Sequence, residues 1–161
     1  MRRLPYYKQF MYSFYSIKRV SAFRLMPIGK VITYLFLLMA LSFLPNVISA
    51  MLGNNPSGDL TSLPIPLPIS YALVYLFATG YKFVEVSILA VLGLMFAKML
   101  HKPLTYIHTW ILATYATTAP TLILSILDSI TTLSSNVASL LWFVAATYLY
   151  FIIRAIPSPK K

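Results

Sequence analysis

The sequence predicts an all-α, polytopic membrane protein: four transmembrane helices preceded by an N-terminal amphipathic helix in the membrane interface. Three observations predict it. First, 59% of the 161 residues are hydrophobic and only 10% are charged, against roughly 25% charged in an ordinary soluble domain. A water-soluble fold of this length cannot hide so much apolar surface, whereas a bilayer can. Second, long apolar stretches reach the roughly 20 residues that one helical crossing needs. Third, the cations gather on one side of those stretches. Net charge is +10, from 13 Lys/Arg and 3 Asp/Glu. In a soluble chain that balance would suggest nucleic acid. Here it reads as loop charge facing anionic lipid of the cytoplasmic leaflet, and no nucleic-acid partner is expected.

Residues 1–30 carry seven basic residues, Arg2, Arg3, Lys8, Lys18, Arg19, Arg24 and Lys30, interleaved with aromatics. Tyr7, Phe10, Met11 and Phe14 follow the i, i+3, i+4, i+7 spacing of one helical face, with Lys8 and Gln9 off that stripe. Ser16 offers a cap for a second short helix running to about Leu25. The expected arrangement is rings in the acyl boundary and cations among the headgroups, as candidate lipid-headgroup contacts. No cleavable signal peptide is expected, because this region is too basic and the next apolar run too long.

Residues 31–52 form the first expected membrane helix, interrupted and kinked by Pro45. Gly53–Ser70 is the first outer loop, with turn chemistry at Asn54–Asp59. Its Leu63–Ile69 alternates Pro with aliphatics, so an extended, polyproline-like run is expected. The second helix spans 73–100 within the apolar stretch Tyr71–Leu100. The basic turn His101-Lys102-Pro103 leads into the third, 104–127. Asp128–Asn136 is a polar outer loop. Residues 137–156 form the fourth helix, and 157–161 a cytoplasmic tail.

Orientation follows from the cations. Residues 1–30 hold seven Lys/Arg, the turn Lys98–Lys102 two, and Arg154–Lys161 three, whereas the two outer loops hold none. Both termini should therefore be cytoplasmic, in a multi-pass protein of the plasma membrane. Only Lys82 is out of place.

Lys82 and Glu85, three apart, can pair on one helix face. Counted from Lys98, Glu85 lies about 20 Å up at 1.5 Å per residue, in the outer half of the hydrocarbon core. Lys82, a turn further out, can reach the headgroups. The same count brings Thr117, Thr118 and Pro120 of the third helix, Pro45 of the first and Trp142 of the fourth to that depth. Two readings follow. Lys82, Glu85, Thr117, Thr118 and Pro120 form a polar layer for an ion or polar solute, or they lock helix packing. Small residues at Ala90, Gly93, Ala113, Ala116 and Ala119 permit close helix approach.

His101 and His108 stand seven apart with no carboxylate near them in sequence, a poor metal pair. The chain has no cysteine, which excludes disulfides and thiol chemistry. No nucleophile–base pattern, Walker loop or HExxH occurs. No catalytic residue, cofactor or metal is expected, and a non-enzymatic role follows.

Lys8–Pro45 resembles the start of a family of uncharacterised bacterial membrane proteins. The matching features are Lys8, Tyr15-Ser16, Phe23-Arg24, Gly29-Lys30, Tyr34 and Leu44-Pro45. Val86–Leu100 and then Trp110, Tyr115-Ala116, Thr118 and Pro120 also fit, as does Ile156-Pro157. Some members are described as maltodextrin utilization proteins, because they are found beside maltodextrin transport genes. The layout is similar to that of Yip-type multi-helix proteins. Family members usually carry a much longer first outer segment than Gly53–Ser70. The resemblance implies scaffolding rather than catalysis and supplies no catalytic residues. The favoured expectation is an accessory protein beside a carbohydrate transporter or envelope complex. The alternative is a small oligomeric transporter or channel subunit using the layer around Glu85.

Overall fold

The computed structural model describes residues 5–52, 66–131 and 135–157. All secondary structure among them is helical. Helix α1 is Tyr6–Tyr15, α2 is Ile17–Ala22, and a 3-10 turn follows at Phe23–Leu25. Helix α3 is Ile28–Met51 and α4 is Leu67–Met99. Helices α5, Tyr106–Ala116, and α6, Thr118–Ile130, meet end to end at Thr117. Helix α7 is Ser135–Arg154.

The long helices alternate in direction. Phe36 of α3 stacks near Phe83 of α4 and Phe43 near Tyr75, an antiparallel register. Gly93 of α4 faces Thr109 of α5 and also Leu149 and Ile153 of α7. Tyr34, Ser42 and Ser49 of α3 meet Thr118, Ser125 and Ser129 of α6 in the same order, so α3 and α5–α6 run parallel.

Helix α5 is the centre. Every residue from Thr109 to Thr118 is buried. An apolar helix without a polar face buries itself on all sides, and α5 is enclosed by α3, α4, α7 and the N-terminal segment. Gly93 lets this happen: a Cβ there would stand 3.0 Å from Leu149 Cδ2 and 3.3 Å from Thr109 Cβ. The outward faces of α3, α4 and α7 stay apolar, with Leu41, Ile48, Phe77, Val84, Met95, Leu140 and Phe143 exposed. So large an exposed apolar surface suits lipid, not water.

Three helical stretches are long and apolar enough to cross a membrane: Ile28–Ser49, Pro68–Met99 and Tyr106–Ile130. Four were expected. The apolar part of α7 among the described residues, Ser139–Arg154, is about 24 Å long at 1.5 Å per residue, short of the roughly 30 Å hydrocarbon core. The expected helix ran to Ile156, but the chain turns after Arg154. Ile156 folds inward, and its carbonyl accepts a 2.5 Å hydrogen bond from Lys102 Nζ.

Other boundaries also move. Helix α4 begins at Leu67, so the last residues of the expected polyproline run are helical. Pro68 sits in the first turn, where its missing N–H costs nothing. Helix α6 continues past Asp128 to Ile130. The chain stays helical through Pro45. Proline crowds the preceding turn, and the Ser42 carbonyl there takes a hydrogen bond from the Ser125 hydroxyl. The expected turn at Asn54–Asp59, Arg2, Arg3 and the terminal lysines lie outside the described residues.

Candidate functional site

The acid–base pair on α4 is formed. Lys82 Nζ donates to Glu85 Oε1 at 3.0 Å and to Oε2 at 2.8 Å. The two side chains keep 10% and 19% of their surface. Lys82 bends back onto Glu85 instead of reaching for the headgroups, since a carboxylate within 3 Å outcompetes a distant interface. The exposed apolar side chains of α4 run from Ile69 to Met99. That is about 45 Å, longer than one hydrocarbon thickness, with Glu85 about 21 Å from its Met99 end. The pair therefore stands near the middle of this strip.

The break between α5 and α6 is built from hydroxyls. Thr117 has φ −80° and ψ −8° and joins the two helices. Pro120 has no N–H to offer the Ala116 carbonyl, the bond four residues back. Thr117 Oγ1 donates to the Thr114 carbonyl at 3.0 Å, and Thr118 Oγ1 lies 2.9 Å from Tyr34 Oη. Continued from Gly93 opposite Thr109, equal rise along both helices sets Glu85 level with Thr117. The Thr118 hydroxyl nevertheless points to α3, and both Glu85 oxygens are taken by Lys82. Trp142, seven residues before Leu149 on α7, keeps to this level. Pro45 does not. It lies eleven residues, about 16 Å, past Tyr34. Counting from Lys30 assumed that α3 and α5 begin at equal depth. Tyr34 is only six residues into α3, whereas Thr118 is twelve past Tyr106. The start of α3 therefore stops about 9 Å short of the start of α5.

The N-terminal segment packs on α5, α6 and α7. Gln9 is fully buried. Its Oε1 accepts a 2.7 Å hydrogen bond from Tyr115 Oη, which also lies 3.6 Å from Met26 Sδ. Ser13 Oγ donates to the Gln9 carbonyl at 2.9 Å, and Tyr148 Oη donates to the Ser13 carbonyl at 3.0 Å. The Tyr115 ring is held between Phe23, 4.8 Å between centroids, and Tyr34, 4.7 Å. Helix α1 thus turns its small polar face inward. Tyr7, Met11 and Phe14 of its apolar stripe remain 63%, 52% and 45% exposed.

Lys8, Lys18 and Arg19 are exposed, while Arg24 and Lys30 are half-buried. The Arg19 guanidinium lies 4.3 Å from the Tyr12 ring centroid, and Lys8 Nζ lies 5.9 Å from that of Tyr7. His108 Nδ1 faces the Thr105 amide and hydroxyl, closing a capping box on α5. Among the described residues no three His, Cys, Asp or Glu side chains gather around a metal-sized space. One shallow groove of about 350 Å³ opens outward beside Phe83, Val84, Ser87, Ile88, Val91 and Tyr106. Its Ser87 hydroxyl already accepts from Trp110 Nε1 at 3.2 Å.

Sequence reasoning did not foresee the Gln9–Tyr115–Tyr34–Thr118 cluster. One signal was there: Gln9 is an uncharged amide off the apolar stripe of a segment whose other long polar side chains are mostly cations. Its bond to Tyr115 joins residues 106 apart, beyond the reach of any local periodicity.

A family described as a protein of unknown function (DUF1189) matches residues 7–56 and 59–153. No curated protein and no solved structure matches the chain. The matched stretches take in both the Lys82–Glu85 pair and the Gln9–Tyr115 cluster, and the chain belongs to this family of unknown function.

Proposed function

We propose that this is a non-enzymatic accessory or scaffold protein of the bacterial plasma membrane, packed against a carbohydrate transporter or an envelope complex. In this reading the chain crosses four times, and both termini are cytoplasmic. The whole of α7, 20 residues from Ser135 to Arg154, is about 30 Å long and completes the even count, although its apolar part is shorter. One observation carries it. The polar groups of the candidate layer are bonded within the protein, Glu85 to Lys82, Thr118 to Tyr34 and Thr117 to the Thr114 carbonyl. The buried polar atoms left without a partner among the described residues, Asn46 Oδ1 and Ser70 Oγ, lie outside that layer. A site for chemistry or for a moving solute leaves such groups open to its ligand. The exposed apolar faces of α3, α4 and α7 are then available to lipid and to partner helices.

The test is purification in native-lipid nanodiscs after brief crosslinking in whole cells. Recovery of one integral transporter or envelope component at fixed stoichiometry is expected. Absence of any reproducible partner overturns the reading. Topology is checked on the cysteine-free background. Ser57→Cys and Ser134→Cys should react with an impermeant maleimide from outside, and Lys98→Cys should not.

A second reading has one observation in its favour, the common level of Glu85, Thr117 and the Pro120 break. Lys82, Glu85, Thr117, Thr118 and Pro120 would then serve an oligomeric transporter or channel. Solute flux in proteoliposomes that disappears in Glu85→Gln, with the fold unchanged, would establish that reading instead.

A further inference from the structure

We propose that residues 6–25 form a binding surface for anionic phospholipid of the inner leaflet, keyed to the bundle through Gln9 and Tyr115. The inference deepens the membrane reading above, because it needs the inner ends of α4 and α5 to face the cytoplasm. It does not need a partner protein.

Chemistry supplies the occupant. The first 58 residues contain seven Lys/Arg and no Asp or Glu, so the segment carries no internal counter-charge. Lys8, Lys18 and Arg19 are exposed. Arg19 is held against the Tyr12 ring at 4.3 Å, which orients a planar guanidinium for a phosphate oxygen pair. Beside these cations Tyr7, Met11 and Phe14 stay exposed. Cations flanking an apolar strip match a phospholipid monolayer: phosphates at one level, acyl chains below it. A nucleic acid or an acidic soluble peptide supplies the charge but leaves the strip uncovered.

The keying is what a free amphipathic helix lacks. An ordinary interfacial helix turns its polar face to water. Here Gln9 and Ser13 turn into the protein, onto Tyr115 and Tyr148. That fixes the roll of α1, so its strip cannot rotate away from the acyl region. The shorter inner reach of α3, about 9 Å less than that of α5, leaves the segment beside the inner leaflet. The segment thus meets lipid in one fixed pose.

The experiment uses the full chain in nanodiscs of phosphatidylcholine and phosphatidylglycerol, three to one. Bound lipid is counted by native mass spectrometry, and Met11→Cys carries an environment-sensitive dye. Retention of phosphatidylglycerol over phosphatidylcholine is expected, together with dye quenching by acyl-chain spin labels. The double variant Lys18→Glu, Arg19→Glu should lower that preference by on the order of tenfold or more, since each surface cation near an anionic leaflet contributes about 1 kcal/mol. Both side chains are exposed, so the variant keeps the fold, and the emission of Trp110 and Trp142 checks it. Equal retention of the two lipids overturns the proposal. So does a preference that survives charge reversal, or a dye beyond the reach of the spin labels. A protein that keeps its lipid preference yet yields no crosslinked partner refutes the accessory reading alone.

Discussion

Tyr115→Phe isolates the bond that keys the N-terminal helix to the bundle. The substitution deletes one oxygen and keeps the ring, so the stacking on Phe23 and Tyr34 at 4.8 and 4.7 Å persists. What is lost is the 2.7 Å bond to Gln9 Oε1 and the longer contact with Met26 Sδ. In water a buried partner left behind costs about 1–3 kcal/mol. In membrane bundles measured side-chain bonds average about 0.6 and reach about 1.7 kcal/mol, because the separated state finds other partners. On the proposed interfacial placement of α1 the second range applies, since α1 would leave the bundle for a membrane interface rather than for open water. At about 1.4 kcal/mol per tenfold, it converts to a roughly 3- to 18-fold rise in the undocked population. Ser13 reads that population: it is 1% exposed, and its hydroxyl is bonded to the Gln9 carbonyl. Ser13→Cys is a mild change on a chain without cysteines, and its thiol reacts only when α1 lifts. Its labelling rate should rise 3- to 18-fold when Tyr115→Phe is added, with the thermal midpoint of the bundle little changed. A rate that is unchanged would mean that Tyr115 does not hold α1. A Ser13→Cys that reacts at once in the parent would mean that α1 is not docked.

The two glycines of α4 should respond with opposite sign. Gly93→Leu forces a side chain into a space where even Cβ meets Leu149 at 3.0 Å, so a loss of about 1–3 kcal/mol or more is expected as a lower midpoint in detergent. Gly80→Ala meets nothing within 4 Å and should be neutral or stabilise by up to about 1 kcal/mol, from helix propensity alone. For the ion pair, Glu85→Ala should destabilise by several kcal/mol, since it strands Lys82 in a nearly dry site. Adding Lys82→Met should restore much of that loss. A double variant no better than the single would show that the pair stabilises the fold outright.

The helical class and the approximate extents of the long helices were legible in the sequence, because both depend on local composition. A run of Leu, Ile, Val and Phe must leave water wherever its neighbours lie, and a backbone in lipid must bond to itself. The adjacency of Lys82 and Glu85 was equally local, three residues on one helix. What tertiary structure alone decided was depth and facing. Where each helix begins relative to its neighbours depends on how their side chains interlock. Gly93 against Thr109 and Tyr34 against Thr118 therefore fixed a register that counting from the flanking lysines missed at Pro45. The same holds for Gln9, whose burial rests on Tyr115 rather than on its own neighbours. An amphipathic pattern states that a helix has two faces. Only the surrounding helices determined that the polar one would turn inward.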